Sequence, residues 1–496
     1  MESLSLLFLR HLFPSILLSA SFLLALKLLE VLWWNPRKVQ HHFSRQGVRG
    51  PPYRFFIGNV KELAALMSEA SSQPLPPSSH NILPRALSFY HHWNKIYGAT
   101  FLVWFGSTPR LTVSDPELIR EIFASRAQSY EKPDTHPLVK QLEGHGLLSL
   151  KGEKWSRHRK IINPTFHMEN LKSLIPAMAK SVSESLDKLA GMSDSGEAEI
   201  DVSEWFQDLT EEVVTRTVFG SSYQDGKAIF RLQAEQMLYA AESFQKVFIP
   251  GYRFIPTKKN MKSWKTDKEI RRLLVKLIDK RGENLGEETK EEESFRDSIT
   301  HSDIIEECKT FFFAGKQTTS NLLTWTTVLL AMHPHWQTLA RDEVLKLSMI
   351  VNESLRLYPP TVASIRRAKA DVELGAYKVP SGTELLIPIL AVHHDKASWG
   401  SDANEFNPTR FANGASRAAK HPMAFMPFGV GARSCIGQHL ATLQAKIAVA
   451  VMLQKCNLRL APSYRHAPTV LLMLHPQHGA PVIFERRRLE SNDPSQ

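Results

Sequence analysis

The sequence predicts a mainly α-helical protein with small β-sheets, set behind an N-terminal transmembrane helix. Three observations lead there. Residues 12–34 are almost continuously apolar, and roughly 20 such residues cross a bilayer as a helix. Behind them, apolar residues recur at helical spacing through most of the chain, while alternation of period two is confined to a few short, segregated stretches. No Pro/Gly/Ser-rich linker and no internal repeat divides the 496 residues, so one large domain follows the anchor.

The composition is that of a globular chain with a sizeable core, 43% hydrophobic and 22% charged. A formal net charge of +11 suits nucleic acid, an anionic membrane surface or an acidic protein partner. No zinc-finger, RNA-binding or helix-turn-helix signature accompanies it, which argues against nucleic acid and leaves membrane lipid and an acidic protein. Cys308, Cys435 and Cys456 are too few, and odd in number, for a disulfide framework. The domain is expected in a reducing compartment.

At the N-terminus, Arg10 and His11 precede the apolar run, and Trp33 and Trp34 close it as an aromatic belt. Arg37, Lys38, Arg45 and Arg49 follow. Flanking basic residues favour the cytosolic side, so the globular part should face the cytosol. A cleaved signal peptide is the alternative, but the run is long and no small-residue cleavage site precedes the tryptophans. Lys27 and Glu30 lie near its end, where they can snorkel or pair. The reading is therefore an anchor over 1–35, a basic, proline-rich linker over 36–53 in which Gly50-Pro51-Pro52 stops any helix, and a globular domain over 54–496.

Within that domain, residues 84–97 read as a helix with its proline in the first turn. Strand alternation follows over 100–105 and 110–113. Long amphipathic segments fill 154–281, and 282–296 is charged and expected to be exposed. Residues 372–389 have strand character with a turn at 380–382, and the last strands lie in 469–484.

The chemistry is concentrated in Phe428-Gly429-Val430-Gly431-Ala432-Arg433-Ser434-Cys435-Ile436-Gly437. A thiolate is a strong, charged donor to haem iron and pushes electron density that favours O–O cleavage. Glycines at 429, 431 and 437 let the backbone approach the sulfur and take unusual dihedrals. A helix begins near Gln438, so the cysteine sits where a helix N-terminus stabilises negative charge. The competing readings are a buried cysteine in a glycine-rich turn, and zinc held by Cys435 and His439; structural zinc needs four ligands, and no partner CxxC or HxxxH stands nearby. Cys308 and Cys456 read as core residues.

The pattern F-x-x-G-x-R-x-C-x-G resembles the haem-binding loop of the cytochrome P-450 superfamily. The resemblance implies that fold, haem b with Cys435 as axial iron ligand, and Phe428 and Arg433 against the haem, Arg433 at a propionate. Other family motifs stand in order. Glu353 and Arg356 match E-x-x-R, a spacing that shares one helix face, and Arg410 in Phe406-Asn407-Pro408-Thr409-Arg410-Phe411 would complete a buried Glu–Arg–Arg network. Trp155 and Arg159 resemble W-x-x-x-R, and Arg366 matches a further propionate-binding arginine; alone, each would read as ordinary surface charge.

A helix capped by Ser302 or Asp303 should run to about Met332, before Pro334. Inside it, Ala314-Gly315-Lys316-Gln317-Thr318-Thr319 resembles the family's oxygen-binding segment. Gly315 would open a groove for dioxygen, and Thr318 would hydrogen-bond the distal oxygen and help deliver protons. Gln317 stands where the family usually has a carboxylate; it cannot ionise, though it can hold a water.

Residues 50–63 (GPPYRFFIGNVKEL), 311–327 (FFFAGKQTTSNLLTWTT) and 386–395 (LIPILAVHHD) are similar to the plant brassinosteroid 26-hydroxylases. This branch implies O2 as oxidant, electrons from NADPH through NADPH–cytochrome P-450 reductase, the endoplasmic reticulum membrane, and side-chain hydroxylation that inactivates a steroid hormone. Phe311, Phe312, Ala314, Val362 and Ile365 suit a greasy ligand, and suit core packing equally. The family pattern breaks at Glu343-Val344-Leu345-Lys346-Leu347, where a connection of about twenty residues is expected from the resemblance, loop statistics making only so abrupt a join unusual. A second shortfall is expected between Glu293 and Ser302. Fused helices there would misdirect Glu353 and Arg356 and impair haem binding; an unwound turn would spare the pair and expose apolar surface. The readings carried forward are an active monooxygenase, a membrane-anchored chain with impaired haem binding, and a reductase-independent haem-thiolate isomerase, against which the intact Thr318 segment argues.

Overall fold

A helix of 32 residues, His301–Met332, forms the spine of the domain, and every residue from 319 to 331 on it is buried. A helix apolar enough to be covered on all sides belongs inside a large core. The computed structural model describes residues 2–190, 196–219, 223–244, 252–285 and 299–487. Thr300, rather than Ser302 or Asp303, caps the spine. Its Oγ1 accepts from the Asp303 N–H at 3.1 Å while the Asp303 carboxylate accepts from the Thr300 N–H at 3.3 Å. Asp303 is thus the third helical residue of a capping box. His333 ends the helix, and Pro334 starts the next one at a position where its missing N–H costs nothing.

Helices Val202–Phe219, Tyr223–Phe244 and Lys258–Leu285 pack on one side of the spine, and Gln438–Lys455 on another. Trp325 of the spine stacks on Tyr358 with ring centroids 4.5 Å apart, and both side chains are fully buried. The expected helix over 84–97 is present in two pieces, Leu83–Ala86 and Ser88–Tyr97, broken where Leu87 leaves helical dihedrals.

The strands form small separate sheets. The largest is ordered Leu102–Phe105, Thr108–Thr112, Glu384–Ile387, Ser364–Ala368, Tyr130–Glu131. Thr108–Thr112 and Glu384–Ile387 pair in parallel and the other neighbours antiparallel. A three-stranded sheet joins Glu197–Asp201, Pro481–Arg486 and Cys456–Leu460, and two hairpin pairs complete the set. Strands Glu197–Asp201 and Ser364–Ala368 were not expected from the sequence: the first alternates polar and apolar residues, but both are only five residues long, and tertiary pairing decides them.

The anchor does not end in an irregular linker. Helix Glu2–Leu29 passes through one π-helical turn, Glu30–Trp34, into helix Asn35–Ser44. Pro36 lies in that helix's first turn, where its missing N–H is no loss, and the chain leaves at Gly47 with φ of 80°. The Tyr53 hydroxyl donates to the Leu32 carbonyl at 2.5 Å, Trp33 meets Phe55 at 5.9 Å, and Arg37 lies over Trp33 at 3.7 Å. A π-turn disturbs the regular hydrogen-bond ladder, and the tyrosine supplies a donor there.

The abrupt join resolves without fusion. Helix Pro334–Asp342 stops, Glu343 alone takes extended dihedrals (φ −144°, ψ 117°), and helix Val344–Leu357 begins. One residue makes the turn, and Val344 and Leu345 are left 75% and 69% exposed. The expectation for residues 282–296, and most of the second shortfall, lie outside the described residues and side chains.

Candidate functional site

The cysteine loop is shaped by its own backbone. The Cys435 N–H donates to the Phe428 carbonyl at 2.8 Å, and the Gly429 N–H to the Met426 carbonyl at 3.1 Å. Gly429 and Gly431 have φ of 68° and 73°, and a Cβ on Gly431 would collide with the Phe123 carbonyl, so glycine is required there. Gly437 differs from expectation. Its φ of −87° is ordinary, and its contribution is the backbone N–H at the Cys435 sulfur. Cys435 is exposed along one side yet set in a recess whose walls desolvate it. Burial pushes the thiol up, while the Gly437 amide and the Arg159 guanidinium pull it down. Helix Gln438–Lys455 starts two residues beyond Ile436, where its dipole favours a thiolate.

Helix Gly152–Ile162 brings Trp155 and Arg159 to the same loop. Arg159 donates to the Ser434 carbonyl at 2.8 Å, and Arg433 lies over the Trp155 ring at 4.3 Å. Arg366 projects from strand Ser364–Ala368 over Phe123 at 4.6 Å. Burial, and after it the neighbouring Arg433, lowers Arg366 to about 10. Burial likewise lowers Arg433 and Lys132, the latter facing both arginines. Lys132 has Glu143 at 3.7 Å, and among the described residues Arg366 and Arg433 form no ion pair. Three partly desolvated cations with a single carboxylate between them are matched by a dianionic group. A thiol beside an arginine and a helix N-terminus, next to that cation cluster, fits haem with its two propionates. Sequence reading missed Lys132, a lone lysine before a proline in no motif.

The network beneath the loop is closed. Glu353 accepts from Arg356 Nε and Nη2 at 2.7 Å each and from the Asn407 N–H at 2.9 Å. The remaining Arg356 donors reach the carbonyls of His393, Ala403 and Glu405, so all five are used. Arg410 completes the set more loosely. Its Nε lies 3.6 Å from Glu353, and its other nitrogens donate to Trp399 and Asp402. Glu353 and Arg356 are fully buried.

On the spine, the Thr318 hydroxyl donates to the Ala314 carbonyl at 2.7 Å, and Gln317 is half-buried beside it. Gly315 makes room for a neighbouring helix. A Cβ there would come within 3.2 Å of Val214, so its missing side chain admits helix Val202–Phe219. Lys316 makes a buried ion pair with Glu211 of that helix, a pairing the sequence did not suggest. Of the expected lining residues, Phe311 meets Phe166 at 5.6 Å, and it is Phe166 that lies beside Gly437; Ala314 and Ile365 are half-buried and Val362 buried. Phe312 stands apart: it is fully buried against Phe230 at 4.6 Å, within the helical core, because successive helical residues point about 100° apart.

The Cytochrome P450 family model matches residues 83–479. The chain belongs to the cytochrome P450 family. Membership implies haem iron, use of O2, a redox partner and a hydrophobic substrate for this monooxygenase fold. Among P450 relatives, cytochrome P450 734A1 of Arabidopsis thaliana is 64% identical over 496 residues, covering 94% of this chain and 95% of that protein. Cytochrome P450 734A6 of Oryza sativa subsp. japonica is 56% identical, with 93% and 94% covered. Secologanin synthase 2 of Catharanthus roseus is 39% identical over a similar span. The N-terminal apolar helix is a candidate membrane anchor, as in other members carrying one.

Proposed function

We propose that this P450 inserts one oxygen atom from O2 into an unactivated C–H bond of a brassinosteroid side chain, at C-26, inactivating the hormone. Electrons would come from NADPH through NADPH–cytochrome P-450 reductase. The anchor over 1–35 would hold the protein in the endoplasmic reticulum membrane, with the domain over 54–496 facing the cytosol. The observation that carries the chemistry is the convergence of the Cys435 sulfur, Arg159 and the cation cluster Lys132, Arg366 and Arg433. The steroid reading is supported by 64% identity to cytochrome P450 734A1 and by the stretches 50–63, 311–327 and 386–395. Bound haem supplies the thiolate-ligated iron at which O2 is activated. Arg366, Arg433, Lys132, Trp155 and Arg159 would hold its propionates, Phe428 would lie against it, and Glu353, Arg356 and Arg410 would brace the cysteine loop. Gly315 lets two helices close, and Thr318 presents a hydroxyl whose lone pairs can hold a water for proton delivery.

The test is turnover in microsomes with NADPH, reductase and a brassinosteroid under 18O2. The product should gain one labelled oxygen in its side chain. A carbonyl complex with the thiolate's red-shifted Soret band but no labelled steroid would overturn the substrate; absence of the band would overturn the haem-thiolate reading itself.

A further inference from the structure

We propose that His393 is a positioning residue that ties the Glu353–Arg356 network to the cysteine loop, fixing where Cys435 stands. It lies in the stretch 386–395, whose chemistry the motifs above leave unassigned, and the inference rests on the haem-thiolate reading.

His393 ends the short helix Ile389–His393 and is fully buried. Four contacts hold it. Its carbonyl accepts from Arg356 Nη1 at 2.9 Å, its Nδ1 faces the Arg356 carbonyl at 3.2 Å, its ring stacks on Phe425 at 5.5 Å, and its Nε2 faces the Met426 N–H at 3.0 Å. Backbone chemistry fixes the tautomer. An amide N–H can only donate, so Nε2 is the acceptor; a carbonyl can only accept, so Nδ1 carries the proton. The imidazole is therefore neutral, with both ring nitrogens satisfied, as a fully buried site demands.

Met426 opens the cysteine loop. Its N–H is held by His393, its carbonyl holds the Gly429 N–H, and the next turn is closed by Cys435 N–H on the Phe428 carbonyl. One side chain thus carries the position of the buried ion pair into the first residue of the loop. Phenylalanine at 393 would preserve ring volume and the Phe425 stack but leave the Met426 N–H without its acceptor. Glutamine reaches as far as Nε2 and offers an acceptor oxygen there, whereas asparagine is too short.

The experiment compares the full chain with His393→Phe and His393→Gln by two readouts. The first is hydrogen–deuterium exchange over residues 426–435, and the second the fraction of the reduced carbonyl complex showing the thiolate band. His393→Phe should raise exchange and shrink the thiolate fraction relative to the non-thiolate form, each by about tenfold, the size expected for one buried hydrogen bond lost. His393→Gln should return both to within about twofold of the parent, since the bond is re-formed. Unchanged exchange and band in His393→Phe, or His393→Gln no better than His393→Phe, would overturn the assignment. If the parent chain shows no thiolate band, the proposed function fails, and the exchange comparison alone decides the role of His393.

Discussion

The Thr318 hydroxyl donates to the Ala314 carbonyl one helical turn earlier, at 2.7 Å. With its proton committed to the backbone, the oxygen keeps lone pairs free to accept, suited to a water that carries protons. Thr318→Val keeps the shape and removes that acceptor. Haem content and the substrate-induced spectral shift should persist, while product per NADPH consumed falls by about a hundredfold, the lower end of the effect of a positioned proton-transfer group. Peroxide release should rise in step. An unchanged ratio of product to NADPH would count against the role.

Cys435→His should abolish the thiolate carbonyl band outright, because imidazole donates no comparable charge to iron. Cys308 and Cys456 lie elsewhere on the spine and on strand Cys456–Leu460, so replacing both with alanine should leave the band intact. Survival of the band in Cys435→His would remove the ligand assignment.

The docking of Leu32 and Trp33 onto Tyr53 and Phe55 sets where the anchor can be cut. Deleting residues 1–29 should release the protein from membranes with little loss of thermal stability. Deleting 1–35 should cost an additional ~1 kcal/mol or more, from one hydrogen bond and one aromatic contact. Equal melting temperatures for the two truncations would mean that the docking contributes nothing.

At the abrupt join, the closed Glu353–Arg356 network removes helix fusion as a reason to expect impaired haem binding. Inserting a homologous segment of about twenty residues after Lys346, a length taken from the family resemblance rather than loop statistics, should therefore leave haem per polypeptide nearly unchanged. It should reduce aggregation, because Val344 and Leu345 would be covered. A several-fold gain in haem content would show that the short join damages the site after all.

Acid should unfold this protein through its buried imidazoles. Burial lowers His80 and His393 to about 3 and His394 and His466 to about 4. These groups stay neutral when folded and take up protons at about 6.5 when unfolded. Their contribution is present above that pH and is lost as pH falls from about 6.5 toward 3 to 4. The melting temperature should drop steadily from pH 7 to pH 4, with proton uptake on unfolding. A flat profile over that range would contradict it.

Local spacing along the chain carries the parts that could be read before any fold was known. The apolar run of the anchor, the glycines that shape the Cys435 loop, the three-residue separation of Glu353 and Arg356, and the threonine one turn after Ala314 are all short-range facts, and helix geometry converts them directly into placement. Long-range contacts settle the rest. Arg366 became part of a cation cluster because strand Ser364–Ala368 pairs with Tyr130–Glu131, which leads into Lys132. Lys132 joined it without any motif. Phe312 went to the core against Phe230 while Phe311 met Phe166. Gly315 made room for Val214. Helix period and turn chemistry are written in neighbouring residues, whereas which face meets which partner depends on residues hundreds of positions away, and no local pattern encodes that.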